Sequence, residues 1–118
     1  MDANIAETLR CLKANNFDAG FAESIKAVKD VILKSLSRDM TVGIADSATI
    51  RQIEIMGDLK KAGISVLDPF SRELTTDPSK TAVRDDISRR MFLSDVLLAG
   101  TNAITEDGKL VNIDAVGN

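Results

Sequence analysis

Three short apolar runs constrain what this chain can fold into more than anything else in it: TVGIA at Thr41 to Ala45, ISVL at Ile64 to Leu67, and DVLLA at Asp95 to Ala99. None alternates strictly between apolar and polar residues, which is how strands read when both faces are covered. Between them lie segments of helical period. Ile50, Ile53, Met56 and Leu59 recur along one stripe, and Val83, Ile87 and Met91 along another. Strands spaced in this way are expected to pair in parallel, because a parallel neighbour is reached only by a crossover long enough to hold a helix. The expectation is an α/β fold with a mainly parallel sheet.

The remaining elements follow local signals. Ile5, Leu9 and Leu12 share one helical face over Asn4 to Ala14, and Asn15-Asn16 ends that helix because Asn tolerates the left-handed cap conformation. Phe17 to Ala22 reads as a weak strand. Ser24 is placed to cap a second helix, in which Ile25, Val28, Ile32 and Leu36 recur at helical spacing. After the strand at Thr41, Thr49 and Gln52 have capping-box spacing, and Ser47 is an alternative cap. One helix is expected from there to the break at Gly63. Asp68 to Asp77 reads as a loop marked by Pro69 and closed by Asp77-Pro78, a cap followed by proline at the first helical position.

The C-terminal stretch, Leu97 to Asn118, reads LLAGTNAITEDGKLVNIDAVGN. Asp107-Gly108 between two apolar runs signals a tight hairpin, since primed turns need a positive φ that Gly adopts freely. Around it stand Thr101, Asn102, Thr105, Asn112, Asp114 and Asn118. A solvated hairpin more commonly carries Lys and Glu, so these amides and hydroxyls read as groups that orient a ligand.

TNAITEDGKLVN followed by D-x-x-G-N (Asp114 to Asn118) resembles the signature of the LUD-domain, or lactate-utilisation, family. The similarity runs back through VGIADSATIRQI to the N-terminal helix. This resemblance implies the fold of the superfamily that holds ribose-5-phosphate isomerase, glucosamine-6-phosphate deaminase and the CoA transferases. That fold is a three-layer α/β/α domain with a mainly parallel sheet, here ending in a β-hairpin. It implies a single domain over 1–118, incomplete at the C-terminus, since relatives continue past Asn118. In function it implies a part in oxidising lactate to pyruvate beside iron-sulfur partner proteins, with a small carboxylate or phosphorylated compound as ligand.

In open α/β sheets ligands bind beyond the carboxyl ends of the strands, where strand order reverses. Two strands end in polar turns suited to this, one leading into Asp46-Ser47-Ala48-Thr49 and the other into Gly100-Thr101-Asn102. If the two are neighbours, Ser47, Thr49, Thr101 and Asn102 are expected to line one crevice, with Asn112 and Asp114 at its rim. By resemblance, Gly43, Ser47 and Thr49 match parts of the isomerases' phosphate loop, and Asn102 stands where those enzymes have Asp. An amide cannot act as a base, so isomerase chemistry is not expected to carry over unchanged.

A second reading makes the chain an enzyme of the CoA-transferase or sugar-phosphate-isomerase type. Glu106, in Glu106-Asp107-Gly108, imitates the transferases' nucleophilic glutamate, although the same three residues also form an ordinary hairpin turn. Arg72, Arg89 and Arg90 are either partners for a substrate carboxylate or solvated faces. A third reading is a non-catalytic assembly subunit.

Composition excludes other chemistries. The chain has no His and one Cys, Cys11, so it offers no imidazole base, no iron-sulfur ligand set and no thiolate zinc site. No cofactor and no metal are expected. Fifteen Lys and Arg stand against 18 Asp and Glu, for a formal charge of -3 without any basic block, which argues against nucleic acid as a partner. No apolar run is long enough to span a bilayer, and with no leader-like segment the expectation is a cytoplasmic protein. A sheet face lacking its cover would favour a homo-oligomer.

Overall fold

Val42 and Ile44 are almost completely buried, and the sheet is built around the strand that carries them. That strand, β1 (Thr41–Ile44), lies between β2 (Ser65–Leu67) and β3 (Val96–Leu98), both parallel to it, in the order β2-β1-β3. The computed structural model describes residues 1–114, which form two compact units. The sheet belongs to the unit spanning Lys26–Gly100.

Val42 stands opposite Val66 on one side and Val96 on the other, so these residues share a face with Ile44 and Leu98. That face meets α2 (Ile25–Lys34), α3 (Ala48–Ile53) and α4 (Met56–Lys61). They supply Val28, Ile32 and Leu33, then Ile50 and Ile53, then Leu59. Each fully buried Ile or Leu here stabilises the unit by roughly 1.5–3 kcal/mol. The opposite face carries Gly43, over which α6 (Thr81–Met91) packs closely: a Cβ at Gly43 would lie 3.1 Å from Ser94 Oγ and 3.4 Å from Met91 Cγ. Helices on both faces make the three-layer α/β/α arrangement. Because α6 lies over β1 and β2, cover is thin at the β3 edge, where Leu97 is 52% exposed. The third strand is therefore not buried on both faces, as its composition suggested.

Two further expectations need correction. The single helix after β1 is two short ones, because Ile53 and Ile55 are both buried yet sit two residues apart, on opposite sides of any continuous helix. Glu54 resolves this by taking the left-handed conformation (φ 54°, ψ 41°), which ends α3 and re-aims Ile55 into the core. The segment after β2 is not all loop, since α5 (Arg72–Thr76) forms within it. Its Thr75 and Thr76 hydroxyls donate back to the carbonyls of Ser71 and Arg72, so polar residues that hide a helix from an apolar-period reading help to close it. Asp77 then accepts from Ser79 N at 3.0 Å and starts a 3-10 turn, Pro78–Lys80, that runs into α6.

The other unit joins Met1–Ile25 to the chain from Thr101 onward. Asp2 caps α1 (Ala3–Ala14) by accepting from Asn4 N at 2.8 Å, and Asn16 leaves the helix with φ 67°. Phe17 to Ala22 forms no strand; Asp18 and Gly20 are poor strand residues. Strands β4 (Ala103–Ile104) and β5 (Leu110–Val111) make the antiparallel hairpin. Its turn is closed by Gly108 N donating to Thr105 O at 2.9 Å, with positive φ at Gly108 (79°) but at neither Glu106 nor Asp107. The turn is thus the longer kind that ends in a left-handed glycine, not the primed two-residue turn expected. Asn15 holds it against α1, its Nδ2 donating to Asp107 O at 3.1 Å and to Gly108 O at 2.9 Å. Of the final D-x-x-G-N motif only Asp114 falls among the described residues; Asn118 lies outside them. Among the described residues, no helix is long and apolar enough to cross a membrane.

Candidate functional site

The strands that end in the two polar turns are neighbours. Pairing of β1 with β3 extends one residue further, through Ala45 N donating to Leu98 O at 2.9 Å, so both exits leave the same sheet edge side by side. Between the two expected caps of α3, Ser47 fills the role: its Oγ accepts from Ile50 N at 3.3 Å. The same hydroxyl abuts Gly100, where any Cβ would fall within 3.0 Å of it and 3.8 Å from Thr49 Cβ. The loops after β1 and β3 therefore meet, and their meeting place is the point where strand order reverses.

Gly43 lies inside β1, buried beneath Ser94 and Met91, where the absent side chain permits close packing of α6. This is a packing position within the strand and not part of the exit loop to which the resemblance assigned it.

Thr101, Asn102, Asn112 and Asp114 belong to the other unit, and two of them are engaged by the hairpin itself. Thr101 Oγ1 donates to Val111 O at 3.1 Å, and Asn102 Oδ1 accepts from Ile113 N at 2.8 Å. Asn112 and Asp114 are exposed. Glu106 is an exposed turn residue whose neighbours Asp107 and Gly108 are the ones tied to Asn15.

Beside the β1 exit, on the β2 side, lies an open cleft of about 390 Å³ lined by Asp46, Arg51, Phe70, Arg72 and Thr75. Its wall is well fixed. Asp68 Oδ1 accepts from Phe70 N at 3.0 Å, Pro69 between them is fully buried, and Arg51 Nη2 donates to Phe70 O at 2.9 Å while standing 3.4 Å from Asp46 Oδ1. Among the described residues the Arg72 guanidinium has no hydrogen-bond or ion-pair partner. Arg89 and Arg90 are exposed on α6, with Arg90 3.9 Å from Asp86. Reading 68–77 as plain loop hid this cleft. The signal available was the Asp68-Pro69 turn directly after an apolar strand, followed by Arg72.

The strongest electrostatic perturbations lie elsewhere, around Cys11. A hydrogen bond from Arg10, joined by one from the Cys11 thiol, holds the Glu7 carboxyl down at about 2. Burial first, and Glu7 second, push the Cys11 thiol upward, so it is a poor nucleophile at neutral pH. Among the described residues no group of three or more His, Cys, Asp or Glu side chains is placed to hold a metal ion.

Comparison with known proteins adds one match. The family model of the LUD domain covers residues 5–118. No curated protein and no solved structure matches the chain.

Proposed function

The chain belongs to the LUD-domain family, and from that membership we propose that it serves lactate utilisation as a small-acid-binding component. The observation that carries the proposal is the adjacency of β1 and β3, which brings the Asp46 to Thr49 loop against Gly100 at the edge where open α/β sheets bind ligands. Ser47 keeps its O–H for a ligand, since its hydrogen bond to Ile50 uses an oxygen lone pair. Thr49 is exposed beside it.

In this reading the chain holds and orients the acid while electrons pass elsewhere. Taking lactate to pyruvate removes two electrons and two protons, and a chain with no His and one Cys lacks the ligands of an iron-sulfur cluster. Iron-sulfur proteins, the partners that the family resemblance implies, are proposed to take the electrons. Titration calorimetry with L-lactate and pyruvate tests the reading. Binding is expected, and Ser47→Ala or Thr49→Ala should each cost on the order of 1 kcal/mol where a neutral hydrogen bond is lost. Failure of both acids to bind the unaltered chain would refute it.

A further inference from the structure

We infer that the cleft between the β1 and β2 exits is the carboxylate site, and that Arg72 pairs with the carboxylate of a small monocarboxylic acid there. This rests on the small-acid reading and gives it an anchor that lies outside the two loops from which that reading started.

Room is the first consideration. At the switch point Ser47 fills the space next to Gly100, whereas among the described residues an open volume lies on the other side of β1, lined by Asp46, Arg51, Phe70, Arg72 and Thr75. About 390 Å³ falls in the lower part of the range typical of small-molecule sites, roughly 300–1,000 Å³.

Charge is the second. Arg51 is committed to Phe70 O and to Asp46, so it braces the wall. Arg72 is the guanidinium left over among the described residues of the lining, and its planar fork matches the two oxygens of a carboxylate. Two arginines and one aspartate leave a single positive charge, which one carboxylate neutralises. A phosphate dianion would set an extra negative charge beside Asp46. Thr75 follows Arg72 by three positions in α5 and therefore lies on the same side, and with its O–H given to Ser71 O its oxygen is left to accept from a ligand hydroxyl.

An exposed ion pair alone is worth little. The cleft adds fixed geometry: the buried Pro69, the Asp68 to Phe70 hydrogen bond and the Arg51 bridge hold the residues preceding Arg72 before any ligand arrives. Less ordering is then required on binding.

The test is amide chemical-shift titration of the chain with L-lactate, pyruvate and inorganic phosphate, in the parent and in Arg72→Gln, Arg72→Lys, Ser47→Ala and Thr49→Ala. Both acids should shift the amides of Asp46 and of Phe70 through Thr75. Arg72→Gln should weaken them roughly tenfold or more, and Arg72→Lys should restore only part of the loss, since an ammonium lacks the fork. Because the Arg72 guanidinium has no partner to lose among the described residues, Arg72→Gln should keep the parent spectrum elsewhere. If the acids bind Arg72→Gln as well as the parent while Ser47→Ala or Thr49→Ala weakens them, the inferred site is wrong and the small-acid reading stands. Tighter binding of phosphate than of either acid overturns the ligand class, and no binding of any acid to the parent overturns both proposals.

Discussion

Ser47 Oγ occupies the space into which any side chain at Gly100 would project. The same atom caps α3 through Ile50 N, so it cannot swing away without freeing a helix-end amide. Gly100→Ala should therefore destabilise the Lys26–Gly100 unit by about 1–3 kcal/mol, the usual cost of overpacking. Ser47→Ala should cost about 1 kcal/mol as a lost cap. In the double variant the clash is relieved, and urea unfolding should give a loss smaller than the sum. Strict additivity would mean that the two loops do not touch.

At Gly108 the obstruction is backbone. A Cβ there would lie 2.5 Å from Cys11 C and 2.6 Å from Leu12 N, and φ is 79°. No side-chain rotation relieves this contact, so Gly108→Ala should cost more than Gly100→Ala and detach the hairpin from α1. Hydrogen exchange at the Thr105 and Lys109 amides should then accelerate sharply. Asn15→Ala, which removes the two bonds to the turn, should produce a milder version, on the order of 1 kcal/mol. Unchanged exchange in Gly108→Ala would contradict the close docking.

Glu54 offers a gain. A residue with a side chain in the left-handed region carries roughly 1–2 kcal/mol of strain that glycine avoids. Glu54→Gly should raise stability by about 0.5–1 kcal/mol after the extra flexibility of the unfolded chain is set against it. The midpoint of thermal unfolding reads the result, and a lowered midpoint would show that Glu54 makes a contact worth more than its strain.

Glu7 supplies a pH test. Its carboxyl is held at about 2 in the folded chain against an ordinary 4.5, chiefly by the hydrogen bond from Arg10. A depressed acid stabilises the fold above its unfolded pKa, so the contribution is complete above about 4.5 and is lost as pH falls toward 2. Exposure and salt keep that contribution small. In an NMR titration the Glu7 midpoint should rise toward the ordinary value in Arg10→Gln. A parent midpoint already near 4.5 would dispose of the Arg10 hydrogen bond.

Local chemistry made several of these features visible in the sequence, and long-range packing hid the others. The parallel strands at Thr41 and Ile64, the end of α1 at Asn15-Asn16 and the stop at Gly63 follow from residues a few positions apart. Glu54 was invisible because nothing about a glutamate predicts a left-handed φ; the need arises only when Ile53 and Ile55 must both reach one core. The exposure of Leu97 is not legible in its strand's composition, which says nothing about which strand lies at an edge or where α6 stops. Local spacing allows either Ser47 or Thr49 as the cap, and it is Ser47 that accepts from Ile50 N. The cleft is not legible in the sequence because its residues come from three segments, Asp46 with Arg51, Phe70, and Arg72 with Thr75, that only the fold brings together.

Asn15 and Gly108 are 93 positions apart, and the unit they clasp is interrupted by the whole of Lys26–Gly100. On a ribosome the first helix emerges long before the hairpin it packs against exists. The interrupting unit has all its residues available by Gly100 and can complete itself meanwhile, as domains commonly do in order of synthesis. Once it has folded, the distance its chain ends must close is set by a rigid body and no longer by a long flexible loop, so the entropy of joining α1 to the hairpin falls. Helix α1 is thus made well before the hairpin it packs against, and its apolar residues Leu9 and Leu12 are the ones a nascent chain must keep from other company in the interval.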